Sequence, residues 1–175
     1  MSREELECVI RQVPDFPRPG ILFFDILPLL KDPKHFEALT QELSVFANAI
    51  DVVVGVEARG LILGSAVALH LGKGFVPLRK KGKLPGATLE ESYGLEYGKD
   101  TLEIQKGVLI PGDRVLLIDD VLATGGTLVA GVKLIEKCGA VVESVAVALE
   151  INGLPGRLNF LRVFPDIDLN SLFQK

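Results

Sequence analysis

The sequence predicts an α/β fold, a mainly parallel central sheet flanked by helices. Three observations carry this. DVVVGVE, from Asp51 to Glu57, is a β-branched run dense enough to be buried on both faces, and the helical pattern ARGLILGSAVALHLG follows it directly. RVLLI, from Arg114 to Ile118, leads through a glycine turn into a second helix ending near Cys138. VVESVAVAL then supplies another strand. Strands alternating with helices in this way require crossover connections, and those produce parallel sheets covered on both faces.

Taken in order, MSREELECVI opens a helix with a capping box, Ser2 with Glu5, and Leu6, Val9, Ile10 and Val13 continue its spacing. After a proline-rich break, Asp32-Pro33 starts a second amphipathic helix marked by Phe36, Leu39, Leu43 and Phe46. GFVPL, from Gly74 to Leu78, is a further strand. The rhythm then fails: residues from about 79 to 106 carry Lys, Gly, Glu and Tyr with little apolar periodicity. A long irregular insert in a compact domain is usually functional or disordered, so this one reads as a lid or a β-ribbon, with TLEIQ as a short strand. With no repeat or linker in its 175 residues, the chain is expected to form a single domain.

Composition removes several classes of function. A net charge of -4 argues against general affinity for nucleic acid, which needs many basic groups to neutralise phosphates. No apolar run approaches the roughly 18 to 20 residues of a membrane span. The N-terminus lacks the basic flank and apolar stretch of a secretory signal, so a cytoplasmic location is expected. Cys8 and Cys138 are far apart and form no metal-type cluster. His35 and His70 fall in helical segments and belong to no motif.

Chemistry concentrates in LLIDDVLATGGT. An apolar strand ends in Asp119 and Asp120, the chain turns through Ala123, Thr124, Gly125 and Gly126, and a helix begins near Thr127 with Leu128, Val132 and Ile135 facing inward. Glycines let backbone N–H groups approach a phosphate, threonine hydroxyls add donors, and the helix N-terminus contributes about half a positive charge. The two aspartates at the strand end can accept hydrogen bonds from ribose hydroxyls. No Gly-Lys-Ser/Thr follows and GxGxxG is absent from this turn, which excludes a Walker loop and a dinucleotide fingerprint.

LLIDDVLATGGT resembles the phosphoribosyl pyrophosphate signature of the type I phosphoribosyltransferases. FPRPGILFFDI, VEARGLILG, RKKGKLPG and YGLEYGKDTLEIQ together resemble the adenine phosphoribosyltransferase branch, over about Val13 to Leu149. The resemblance implies the type I phosphoribosyltransferase fold with a flexible lid loop, and a homodimer. It also implies transfer of adenine to phosphoribosyl pyrophosphate, with Mg2+ held mainly by substrate rather than by direct protein ligation.

By position it assigns Ala123, Thr124, Gly125, Gly126 and Thr127 to the 5-phosphate, and Asp119 and Asp120 to the ribose. Glu57, Ala58 and Arg59 fall to the pyrophosphate, joined by Arg79, Lys80 and Lys83 from the same protomer or across the dimer. Glu96 is assigned to proton exchange with adenine, and Leu22, Phe23 and Tyr97 to the base. The family usually reads Phe-Arg-Asp-Ile-Thr/Ser where this chain has Phe23, Phe24, Asp25, Ile26 and Leu27, so an arginine and a hydroxyl are replaced. Transfer to another purine, or a non-catalytic sensor of phosphoribosyl pyrophosphate or purine, are the alternatives.

Overall fold

The computed structural model describes residues 1–94 and 99–175, which divide into two compact units, Met1–Glu42 and Leu43–Lys175.

The first unit opens with α1 (Arg3–Val9), and its capping box forms as expected: the Ser2 hydroxyl accepts from the Glu5 amide, and the Glu5 carboxylate accepts from the Ser2 amide at 2.7 Å. The helix stops earlier than its apolar spacing predicts. Val13 lies instead in β1 (Arg11–Pro14), which pairs antiparallel with β2 (Leu22–Asp25) and sets Val13 opposite Phe23. Pro14 explains the difference, because the residue before a proline is pushed out of the α region. In this hairpin the Arg11 guanidinium pairs with the buried Asp25 carboxylate. After α2 (Leu27–Lys31) comes α3 (Pro33–Ser44), whose first turn is capped by the Asp32 carboxylate accepting from the amides of Lys34 and His35. Phe46, in phase with that helix, lies beyond its end.

The second unit contains β3 (Val52–Val56), α4 (Arg59–Leu71), β4 (Gly74–Lys80), β5 (Thr88–Gly94), β6 (Lys99–Gln105) and β7 (Arg114–Leu122). It continues through α5 (Gly126–Lys137), β8 (Val141–Glu150), α6 (Gly156–Val163) and β9 (Asp168–Gln174). The strands form one sheet in the order β5-β6-β4-β3-β7-β8-β9. Pairings from β4 through β3, β7 and β8 to β9 are all parallel, as the alternation of elements predicts. Val53, Val54, Leu116, Leu117, Val145 and Val147 are fully buried in its centre, which is why these strands read as unbroken apolar runs.

The irregular insert is a ribbon: β5 and β6 pair antiparallel from Thr88 opposite Gln105 to Gly94 opposite Lys99. It joins the main sheet through two residue pairs of β4 and β6, Arg79 with Glu103 and Lys80 with Leu102. At the opposite edge, the Arg157 guanidinium holds α6 to the sheet by two hydrogen bonds to Glu150 and one to the Leu169 carbonyl. Among the described residues, no helix is long and apolar enough to cross a membrane.

Candidate active site

The connection through α4 runs from β3 outward to β4, while the one through α5 runs from β7 outward to β8. Between β3 and β7 the chain therefore reverses its direction of winding, and right-handed crossovers to either side place the two helices on opposite faces. A crevice opens at the carboxyl ends of strands at such a point. The residues that follow β3 and those that end β7 stand together there.

From β3 the chain passes through Glu57 and Ala58, joined by a cis peptide bond, into α4 at Arg59. Arg59 turns toward the neighbouring strand, and its Nε lies 2.5 Å from Oδ2 of Asp120. Asp119 and Asp120 are both buried, at 5% and 8% exposure, although they sit near a strand end. Burial, followed by repulsion from Asp120, holds the Asp119 carboxyl well above the ordinary aspartate range. An Asp119 oxygen accepts the Asp120 amide at 2.8 Å, which fixes the pair in place.

Three glycines make this closeness possible. A Cβ on Gly60 would stand 2.7 Å from the Ile118 carbonyl oxygen and 3.1 Å from Asp119 Oδ1. One on Gly55 would stand 2.5 Å from the Gly60 carbonyl oxygen, and Phe75 fills the space beside Gly55 and Gly64. The first turn of α4 thus rests directly on β3 and β7. These glycines were missed as site residues; the signal was there, since glycine inside a strand or helix pattern marks close backbone approach.

Glu57 does not point at the aspartates but braces β4. Its carboxylate accepts from Arg79 Nε at 2.9 Å and Nη2 at 3.3 Å, and from the Lys80 amide at 2.7 Å. The Arg79 guanidinium is the main reason its carboxyl lies below the ordinary glutamate range. Lys80 is engaged in the ribbon, donating to the Tyr93 hydroxyl at 3.0 Å and pairing with Asp100. Lys83 is exposed in the turn after β4.

At the end of β7, the segment from Ala123 to Thr127 wraps the start of α5. Gly125 takes the left-handed conformation, φ 85°, and a Cβ there would also press on the Gly156 carbonyl at 2.6 Å. The Asn159 amide donates to the Thr124 carbonyl at 3.0 Å, so the first turns of α6 hold this loop from behind. Neither Gly156 nor Asn159 was legible as part of the site, because no local pattern ties them to a loop some 30 residues away in sequence. Beside the loop lies an open cavity of about 500 Å³, lined by Gly94, Thr124, Gly125, Gly126, Lys133 and Asn159 among others.

The fold therefore gathers Glu57, Ala58, Arg59, Arg79, Lys80, Asp119, Asp120 and the loop Ala123 to Thr127 around adjacent strand ends of the second unit. Leu22 and Phe23 belong to the first unit, where the Phe23 ring meets Phe16 edge-on at 5.1 Å between centroids. Glu96 and Tyr97 lie outside the described residues. Among the described residues, no group of three or more His, Cys, Asp or Glu side chains is arranged to hold a metal ion.

The family model of the phosphoribosyl transferase domain matches residues 30–159. An adenine phosphoribosyltransferase from a Nocardioides species is 55% identical over 159 residues, covering 87% of this chain and 86% of the relative. The crystal structure of adenine phosphoribosyltransferase from Thermoanaerobacter pseudethanolicus is similar with a TM-score of 0.92 at 43% identity, covering 99% of this chain and 100% of that one. The Saccharomyces cerevisiae adenine phosphoribosyltransferase, solved with an imino-altritol bisphosphate and adenine, is similar with a TM-score of 0.91 at 37% identity, covering 98% of each chain.

Proposed function

Because the chain belongs to the phosphoribosyl transferase domain family, and within it to the adenine phosphoribosyltransferases, we propose that it joins adenine to phosphoribosyl pyrophosphate, giving AMP and pyrophosphate in purine salvage. The observation that carries the reading is the juxtaposition of an anion-binding helix start, Ala123 to Thr127, with the buried Asp119-Asp120 pair and the Arg59 guanidinium facing it. These are the complementary charges of a sugar that carries phosphate at one end and diphosphate at the other.

In this reading the 5-phosphate takes the amides of the loop and the N-terminal end of α5. The diphosphate draws on Arg59, with Arg79 and Lys83 nearby, and competes with Asp120 for the Arg59 guanidinium. Asp120 is then released toward the ribose hydroxyls. As the C1–O bond loosens, positive charge develops on the ribose, and the ionised form of Asp119 becomes favoured beside it. Preorganised charge of this kind is worth roughly 3 to 4 kcal/mol per group, by analogy with oxyanion-hole donors. Mg2+, brought by the substrate's own oxygens, would supply neutralisation of the departing diphosphate. Phe23 and the backbone at Leu22 are assigned to the base, with Tyr97, and Glu96 to the proton on adenine N9. The enzyme is read as a single-domain, cytoplasmic homodimer.

The test is base competition. Purified protein, phosphoribosyl pyrophosphate and Mg2+ are incubated with adenine, hypoxanthine and guanine together, and nucleotide and pyrophosphate are measured. AMP is expected as the dominant product. A dominant 6-oxopurine nucleotide would sink the base assignment, and release of no pyrophosphate with any purine would leave a binding protein in place of an enzyme.

A further inference from the structure

Glu103 lies on β6 with 3% of its surface exposed, opposite Arg79 in the strand register. A buried carboxylate normally demands a cation, but Arg79 gives its guanidinium to Glu57. Glu103 is occupied instead with the backbone of the turn that follows β4. One of its oxygens accepts the Lys83 amide at 2.9 Å and the Leu84 amide at 2.8 Å. The Gly82 amide and the Thr88 hydroxyl also act on it. Burial alone would raise its carboxyl, yet these backbone donors hold it below the ordinary glutamate range, as expected of a fully satisfied anion.

The turn so held is built around Gly82 in the left-handed conformation, φ 80°, with the Lys83 amide also returning to the Lys80 carbonyl at 3.2 Å. On its exposed side stands Lys83. Lys80, whose carbonyl closes the turn, gives its own amide to the Glu57 carboxylate at 2.7 Å, so the turn that carries Lys83 is anchored beside the end of β3, directly before Arg59.

We propose that Glu103 is a positioning residue for the diphosphate half of the substrate, folding the turn from Lys81 to Leu84 so that Lys83 is presented as a diphosphate ligand. This rests on the proposed reading of the basic segment, and it holds whether the diphosphate served is on the same protomer or a second copy. Glu103 touches no substrate, and its effect passes through Lys83.

The experiment is a double-mutant cycle of Glu103→Gln and Lys83→Ala, with KM for phosphoribosyl pyrophosphate, KM for adenine and kcat measured for each variant. Glu103→Gln keeps the side chain's shape but removes its charge. It is expected to raise KM for phosphoribosyl pyrophosphate about tenfold, with KM for adenine and kcat within about twofold. On the Lys83→Ala background the same change should have little further effect, because both remove one interaction. Gly82→Ala strains the turn from its open side, where nothing lies within 4 Å of the new Cβ. It should give the same signature even if Glu103→Gln folds poorly. Independent, multiplicative effects of Glu103 and Lys83, or an equal rise in both KM values, would overturn the positioning role. Lys83→Ala with an unchanged KM for phosphoribosyl pyrophosphate would instead overturn the diphosphate reading of the turn, and the proposal with it.

Discussion

Replacing Gly60 by alanine should damage catalysis far more than stability. The added methyl would stand 2.7 Å from the Ile118 carbonyl oxygen and 3.0 Å from the Asp119 Cα. Ordinary contact begins near 3.4 Å, so one side must give by about 0.7 Å. β7 cannot yield easily, since it is hydrogen-bonded between β3 and β8. The first turn of α4 is the part that moves, and it carries Arg59. Overpacking of this kind costs about 1 to 3 kcal/mol, and alanine's better helix propensity returns about 1 kcal/mol. A net loss near 1 kcal/mol lowers Tm by roughly 2 to 4 °C in a domain of this size. Misplacing a catalytic group by about 1 Å costs on the order of 100-fold. A shift of about 0.7 Å of Arg59 relative to Asp119 and Asp120 should therefore lower kcat/KM for phosphoribosyl pyrophosphate by roughly 10- to 100-fold. Steady-state AMP formation and thermal unfolding of the same preparation measure both effects. Turnover within twofold of the parent at an unchanged Tm would refute the close-approach argument.

Two further outcomes are expected. Asp119→Asn should abolish most AMP formation and yet stabilise the fold, because it removes a buried carboxyl repelled by Asp120. The folded-state pKa of Asp119 is raised, so its favourable contribution is complete below the unfolded value of about 3.8 and is lost as pH rises through the folded value. The advantage of the Asn variant in urea unfolding should accordingly grow as pH rises from acid toward neutral; an advantage that shrinks over that range would contradict the assignment. Arg157→Met should cost about 1 to 2 kcal/mol by taking the guanidinium from the Leu169 carbonyl and from Glu150, which keeps the Ser171 hydroxyl at 2.8 Å, discounted because the Arg157 side chain is 36% exposed. Chemical denaturation reads this directly, and a variant as stable as the parent would show that the Arg157 contacts contribute no net stability.

Local pattern made much of the second unit legible. The runs at β3, β7 and β8 are apolar throughout because both faces are covered, and the helices after β3 and β7 announce themselves by spacing and by the glycines at their ends. The ribbon was only half visible, with TLEIQ seen as a strand and its partner β5 not. Its exposed alternation carries little apolar signal, and its pairing is decided across the chain. β9 escaped notice for the same reason, since DLNSLFQ becomes a strand by adding to the edge of β8. In the first unit the helical phase of Leu6 through Val13 misled, because a period of 3.6 over about two turns does not outweigh a proline at position 14 and a partner strand.

By itself the sequence determined the parts that depend on neighbours along the chain: the strand-to-helix turn at Ala123 to Thr127, the acids preceding it and the alternation that requires a parallel sheet. Tertiary structure alone decided which groups face one another. It paired Arg59 with Asp120, turned Glu57 toward Arg79, and set Asn159 behind Thr124. Each of these partnerships joins groups tens of residues apart in sequence. Their energies depend on distance and burial, which exist only once the sheet has brought the strand ends together.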